Sequence, residues 1–261
     1  MKRKTNFGRD AYAPPELYVV VLAAGMGTRL KPHTDAVPKA LLRLDDGEPL
    51  LSRTLAGLTT RPEVAEVIVV GGHRYDVLRS YLSTLDAPPP CRTVFNPDFA
   101  VKGPIESLRR SLKLVPRGGT VAILNGDTWY GRAALGSLVE RAMGAQTFAV
   151  LFGSHIRELA LDDVCVIEAG GSVMRIGKEI TEARAISAGC CLLFPRAVSA
   201  LQRLIDKGVK ETLTERATWH QAINLLVETG HEIEFRALPR AEWFEVDEEA
   251  DLLALLDRLC A

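Results

Sequence analysis

Residues able to do chemistry gather first in one short stretch. Leu22-Ala23-Ala24-Gly25-Met26-Gly27-Thr28-Arg29-Leu30 is followed closely by Pro38-Lys39-Ala40-Leu41. Glycines let successive backbone N–H groups approach an anion closely and form a nest around it. Arg29 brings a guanidinium fork that matches phosphate oxygens, and Lys39 adds a compact ammonium from the far end of the loop. The chemistry this set suits is the holding of a phosphate chain. Two carboxylates extend it. Asp127 follows Leu124-Asn125-Gly126, and Asp247 follows Trp243-Phe244-Glu245-Val246. Alone, Asp127 reads equally well as a turn residue and Asp247 as a helix N-cap before Glu248-Glu249. With the glycine loop they suit Mg²⁺, which takes hard oxygen ligands from one or two carboxylates and from substrate phosphates.

Two other phosphate motifs compete for the loop. The Walker pattern needs Gly-Lys-Ser/Thr, which does not occur here. The dinucleotide fingerprint G-x-G-x-x-G is met at Gly25 and Gly27 but has Leu30 in its third position. Asp45 stands roughly twenty residues beyond Gly25, where that motif places its ribose acid. However, Pro32 and Pro38 forbid the helix that must follow the fingerprint. An ordinary turn at a strand end is the plain alternative, and it leaves two glycines, Arg29 and Lys39 in one loop unexplained.

These groups have to be positioned by regular elements. Leu17–Ala24 is an apolar run that reads as a buried strand entering the glycine loop. Helical periods are predicted over Pro49–Leu58, Tyr75–Leu85, Ile105–Leu114 and Arg132–Met143. Strands are predicted over Val64–Val70, Arg92–Phe95, Thr120–Leu124 and Thr147–Phe152. This alternation, with nearly continuous apolar strands, predicts an α/β fold: a Rossmann-like, mostly parallel sheet with helices on both faces. Ligands then sit beyond the carboxyl ends of the strands, on the rim that carries both the glycine loop and Asp127. After residue 153 the pattern changes. Val164–Glu168 and Val173–Ile176 read as a hairpin around Gly170-Gly171. Ile186–Phe194, Glu232–Ala237 and Trp243–Val246 read as strands, and Ala197–Asp206, Trp219–Glu228 and Glu249–Leu259 as helices. The organisation expected is a tail over 1–16 and one domain over 17–261. Within it, 17–153 forms a nucleotide lobe and 154–261 an acceptor lobe.

Composition removes other classes. With 261 residues, 47% of them apolar and 25% charged, the chain has the ordinary globular mixture. Thirty-three acidic against 32 basic residues leave no excess positive charge to hold a nucleic acid. No apolar run approaches the length of a membrane span, and the first sixteen residues have no apolar core of a secretory signal. The five cysteines have neither disulfide-framework nor zinc spacing and read as reduced thiols used as small hydrophobes. The compartment expected is the cytoplasm, with no membrane or nucleic-acid partner.

Leu22-Ala-Ala-Gly25-x-Gly27-Thr-Arg29-Leu30-x-Pro32-x-Thr34 with Pro38-Lys39-Ala-Leu41 resembles the signature of the sugar-phosphate nucleotidyltransferase family. Leu124-Asn125-Gly126-Asp127 and Trp243-Phe-Glu-Val-Asp247-x(3)-Asp251-Leu match two further segments, so the resemblance spans residues 17 to 259. Among its members it looks closest to the small phosphocholine and polyol-phosphate cytidylyltransferases. The resemblance implies the nucleotide-diphospho-sugar transferase fold. It implies transfer of a nucleotidyl group, CTP favoured, to a small phosphorylated acceptor such as choline phosphate, a polyol phosphate or a sugar 1-phosphate, with release of pyrophosphate. Asp127 and Asp247 would hold Mg²⁺; Arg29, Lys39 and Asp127 would act in catalysis. Leu22, Ala23, Ala24, Gly25, Gly27, Arg29, Lys39 and Ser107 would bind the nucleotide. Lys178, in Ile176-Gly177-Lys178, would meet the acceptor phosphate, and Gly189 would let the acceptor approach the backbone. The stretch Lys102–Ser107 carries one glycine where sugar-specific members have several, a departure from the sugar enzymes. A sugar-1-phosphate uridylyl- or guanylyltransferase, a molybdenum-cofactor guanylyltransferase and a non-catalytic nucleotide-binding homologue are the alternatives. Asp251 reads as a plain helix residue. His73, His155, His220 and His231 read as surface or packing residues; Trp129, Trp219 and Trp243 read as packing residues, with a wall for the acceptor as the alternative for Trp219 or Trp129.

Overall fold

The computed structural model describes residues 16–44, 47–59, 61–85, 89–160, 162–208 and 213–260. The expectations placed on the first fifteen residues and on Asp45 fall outside the described residues.

Strand β1 (Leu17–Ala23) is flanked by β2 (Val64–Gly71) and β4 (Thr120–Asn125), and β3 (Cys91–Phe95) adds to β2; all four run parallel. Beyond β4 lie β9 (Ala185–Leu193), β6 (Ala149–His155), β10 (Ile233–Ala237), β8 (Ser172–Gly177) and β7 (Cys165–Ala169). The sheet is therefore the mixed, mostly parallel one expected. Its departures from a plain parallel sheet are β9, which runs antiparallel between β4 and β6 and also pairs with β7, and β8, which runs antiparallel between β10 and β7.

Alternation along β1 divides the core. Leu17, Val19, Val21 and Ala23 face α1 (Leu50–Leu58), α2 (Tyr75–Ser83) and α4 (Arg132–Met143). Tyr18 and Val20 face α3 (Pro104–Leu112), α5 (Pro195–Gly208) and α6 (Trp219–Glu228). Helix α3 opens on Pro104 at its first position, where a missing N–H costs nothing. Helix α6 opens on a capping box: the Thr218 hydroxyl accepts from the Gln221 N–H at 3.3 Å, and Gln221 Oε1 accepts from the Thr218 N–H at 2.8 Å. That box fixes Trp219 and His220 on the first turn. Of the five cysteines, Cys165, Cys190 and Cys191 are buried as expected, whereas Cys91 and Cys260 are exposed. No helix among the described residues is long and apolar enough to cross a membrane.

Two features decide where the rim residues go. A two-stranded ribbon pairs β5 (Thr128–Tyr130) with β11 (Trp243–Glu245), matching Glu245 to Thr128. Strand β5 is too short to show a pattern in sequence. A third apolar cluster then joins Leu30, Leu42, Leu44 and Leu50 to Val246, Leu252 and Leu255, the last two on α7 (Glu249–Cys260). Leu30, the residue that breaks the dinucleotide fingerprint, is wholly buried there and anchors the glycine loop.

Gly189 sits in β9 with φ +68°, and a β-carbon on it would lie 2.9 Å from Asn125 Nδ2. Gly189→Ala should therefore lose about 1–3 kcal/mol of stability through backbone strain alone. Urea unfolding is the check, and an unchanged midpoint would contradict this account of β9.

Candidate active site

The ribbon brings the two distant aspartates together. Its hydrogen bonding continues past the last matched pair, with the Val246 N–H donating to the Asp127 carbonyl at 2.9 Å. Asp127 and Asp247 thus leave adjoining strand ends. Between them lies Lys39, whose Nζ donates to Asp127 Oδ2 at 3.0 Å and to Asp247 Oδ1. Arg29 donates to Asp247 Oδ2 at 2.8 Å and, through its other nitrogen, to Asp162. The Lys39 side chain is 11% exposed and that of Arg29 is 48% exposed, so the lysine is the interior member of this chain of charges. Burial favours the neutral amine of Lys39, but the Asp127 and Asp247 charges outweigh it and raise its pKa. Burial likewise favours the neutral Asp247 carboxyl, and Lys39 followed by Arg29 overrides it and lowers that pKa.

The glycine loop has the form of an anion nest. Gly27 has φ +60°, and the Thr34 hydroxyl donates to its carbonyl at 2.8 Å, pinning the turn. Among the described residues the backbone N–H groups of Gly25, Met26, Gly27 and Thr28 have no protein acceptor.

A cleft of about 240 Å³ opens beside these groups. Its lining includes Ala24, Gly25, Asn125 and Asp127 together with Lys178, Trp219 and His220. A second compartment of about 390 Å³ shares Val164, Lys178, Thr218 and His220 with it and reaches Gln221, Asn224 and Glu228. Of the residues singled out from the sequence, Leu22, Ala24, Gly25, Ser107, Asp127 and Lys178 line the first compartment. Buried Ser107 accepts from Asn96 Nδ2 at 3.0 Å. Ala23 turns to the opposite face of the sheet and packs in the core. Arg29 and Asp247 line a neighbouring hollow with Asp162 and Glu245. Gly189 lines neither compartment; its carbonyl accepts from the Tyr130 hydroxyl at 2.8 Å and its N–H donates to Ser187 Oγ at 3.1 Å. Trp219 is a wall residue, whereas Trp129 packs against the third apolar cluster.

Four residues escaped the sequence. Glu245 lies two positions before Asp247 and joins it and Asp127, with carboxylate oxygens of all three within 4.8 Å of one another. Burial, then the Asp127 and Asp247 charges, push the Glu245 carboxyl up to about 8. Its spacing on a strand was the available signal, because alternate residues share a face. Asp162 holds Arg29 and stands 3.9 Å from Lys178, a pairing no motif announces. Asp251 is not a plain helix residue: its Oδ2 accepts from the N–H groups of Asp247 and Glu248, each at 2.9 Å, and fixes the backbone that presents Asp247. His220 is neither surface nor simple packing, since it lines both compartments.

The carboxylates fit a divalent cation. Among the described residues Asp127 Oδ1 is buried with no partner, and hard oxygens are the donors Mg²⁺ takes. Asp127, Asp247 and Glu245 could supply them.

Against the cost of burial, Lys39 is the main charge that holds the Asp247 carboxyl below the usual carboxylate range. A carboxyl with lowered folded pKa stabilises the fold above its unfolded value and loses that contribution as pH falls through the folded one. Lys39→Met leaves three crowded carboxylates without their ammonium and moves Asp247 upward, reversing the sign. Acidification from about pH 7 to 5 should then raise the variant's melting temperature relative to the wild type. Parallel melting profiles would show that Lys39 does not control these acids.

The MobA-like NTP transferase domain family matches residues 19–220. The chain is 28% identical over 251 residues to the bifunctional IPC transferase and DIPP synthase of Rubrobacter xylanophilus, covering 89% of this chain and 49% of that protein. It is 25% identical over 205 residues to the 2-aminoethylphosphonate cytidylyltransferase of Lancefieldella rimae, covering 78% of each. The chain thus spans about half the length of the first relative. Among solved structures, the inositol-1-phosphate CTP transferase from T. maritima matches with a TM-score of 0.76 at 22% identity, over 95% of this chain and 96% of that one. The nucleotide-diphospho-sugar transferase fold is shared, and with the match over residues 19–220 the chain belongs to the MobA-like NTP transferase domain family.

Proposed function

We propose that the chain is a cytidylyltransferase: it joins CTP to a small acceptor bearing a phosphate or phosphonate and releases pyrophosphate. The observation that carries this is Lys39 clasped by Asp127 and Asp247 at the mouth of a loop with four N–H groups unpaired among the described residues. The CTP preference is supported by what the relatives' names say of those proteins. The 17–153 stretch would carry the nucleotide and 154–261 the acceptor.

The acceptor oxygen is already an anion, so the reaction needs no general base. It forms a bond to the α-phosphorus, the bond from that phosphorus to the bridging oxygen breaks, and pyrophosphate leaves with the electron pair. Positioning and charge neutralisation are then the whole task. The N–H groups of Gly25 to Thr28 and the Arg29 guanidinium face the triphosphate tail and take up charge on the leaving group. Lys178, at the junction of the two compartments, receives the acceptor phosphate. Asp127 and Asp247, with Glu245 beside them, would hold Mg²⁺, which when bound neutralises and polarises the phosphates. Among the described residues no Phe, Tyr or Trp lines the second compartment, so a quaternary ammonium head finds no aromatic face there. Gln221, Asn224 and Glu228 offer hydrogen-bonding partners instead, which suits an acceptor carrying hydroxyls or a primary amine.

Pyrophosphate release with four nucleoside triphosphates tests the reading. Each is offered choline phosphate, inositol 1-phosphate, 2-aminoethylphosphonate and glucose 1-phosphate. CTP with one of the hydroxyl or amine acceptors should dominate; preference for UTP or GTP with a sugar 1-phosphate would replace the proposal, and no release would remove it. Asp127→Ala and Lys39→Ala should each lower turnover a hundredfold or more, the roughly 2.7–4 kcal/mol of one lost electrostatic partner at a transition state. Near-normal turnover in a folded variant would remove that residue's role.

A further inference from the structure

We propose that His220 binds the acceptor as a neutral imidazole, its Nδ1–H donating to a phosphorus oxygen beside Lys178; this rests on the cytidylyl-transfer reading. His220 closes a buried ring of contacts beneath the cleft. Trp219 Nε1 donates to Asn125 Oδ1 at 2.9 Å, and the Asn125 N–H reaches the Tyr130 hydroxyl at 3.3 Å. The Tyr130 hydroxyl donates to the Gly189 carbonyl, the Gly189 N–H donates to Ser187 Oγ at 3.1 Å, and Ser187 Oγ lies 2.9 Å from His220 Nε2. The His220 ring then stacks on Trp219 with centroids 3.6 Å apart.

Donor accounting along this ring assigns the tautomer. Ser187 Oγ already accepts from Gly189, and among the described residues its own proton has no acceptor except His220 Nε2. Pairing that proton assigns Nε2 as the bare nitrogen and places the ring proton on Nδ1. With one edge held by Ser187 and one face on Trp219, what remains of the ring borders the two compartments, where the charge of Lys178 also arrives. Burial, then the Lys178 charge, hold the imidazole down to about 3, so it stays neutral at working pH. The two residues thus divide the work: Lys178 supplies charge from a flexible, half-exposed stem, and His220 supplies direction from a rigid ring.

The test joins spectroscopy to kinetics. Long-range ¹H–¹⁵N correlation on histidine-labelled protein should give a protonated Nδ1 and a bare Nε2 for His220, assigned by its absence in His220→Gln. An Nε2–H tautomer in the wild type overturns the proposal. Kinetics use inositol 1-phosphate or 2-aminoethylphosphonate, whichever turns over faster. His220→Gln keeps a group for Ser187 but lacks the Nδ1 donor. It should raise the acceptor KM about 10- to 100-fold, the worth of a hydrogen bond to a charged group. The KM for CTP should stay put. His220→Asn, whose amide nitrogen replaces Nδ1, should recover part of the loss, and thermal melts confirm which variants are folded. An active, folded His220→Gln with unchanged acceptor KM, or one that alters only the KM for CTP, overturns the assignment of His220 alone. A wild type that releases no pyrophosphate with any acceptor overturns the functional reading instead.

Discussion

The ammonium of Lys39, held between carboxylates from two segments distant in sequence, is the interaction on which the site depends. Asp127, Asp247 and Glu245 place oxygens within 4.8 Å of one another. Like charges at about 4 Å repel by roughly 4 kcal/mol at the effective dielectric of a protein surface. Such a group holds together only with a cation inside it. Lys39 is nearly buried, and it reaches the group from the end of the glycine loop. The loop's position and the acids' proximity are therefore one fact rather than two. Asp251 completes the arrangement by fixing the chain at Asp247, so the acid cannot retreat from the lysine without giving up two hydrogen bonds.

Apolar packing makes this geometry affordable. The third cluster clamps Leu30 of the loop against Val246 and helix α7, so the loop and the Asp247 segment share one small core. On the other side, antiparallel β9 sends Ser187 and Gly189 beneath the cleft, where the hydrogen-bonded ring ties β4 to helix α6. The 17–153 and 154–261 stretches are thus joined twice, once by charge at the rim and once by neutral hydrogen bonds below it. Buried polar groups that are fully satisfied in this way favour a single arrangement over alternatives.

What was legible in the sequence follows from the range of the forces involved. The glycine loop, Asn125-Gly126-Asp127 and the hydrophobic strands are local patterns, and the structure places them as their periods indicate. The β5–β11 ribbon was not legible on the β5 side, because three residues cannot establish an alternation and the partner lies far along the chain. Glu245 was in plain view within Trp243–Asp247, but only the pairing of that segment with β5 shows which face it shares. Asp162 carries no pattern at all; its meaning comes from Arg29, which arrives from elsewhere. His220 looked like packing because a solitary histidine on an apolar helix turn usually is. Ser187 and the lining of both compartments give it a different standing. Gly189 carried a signal whose meaning changed: the glycine is required by φ and by Asn125 rather than by an approaching ligand.

The two cations of the rim differ in a way that bears on the proposed reaction. Lys39 has acidic partners on both sides and little solvent, so an arriving triphosphate would have to displace two partly buried carboxylates to claim it. Arg29 is half exposed, and its second partner, Asp162, is more than half exposed as well. An exposed pair of that kind contributes little net stability, about 0–1 kcal/mol. A triphosphate tail, with several negative charges and bidentate oxygens, can therefore replace Asp162 on the guanidinium at small cost. Lys178 shares the same carboxylate, so one displacement would free Arg29 and Lys178 together. In the proposed reaction Lys39 would hold the acids in place throughout, and Arg29 would change partners.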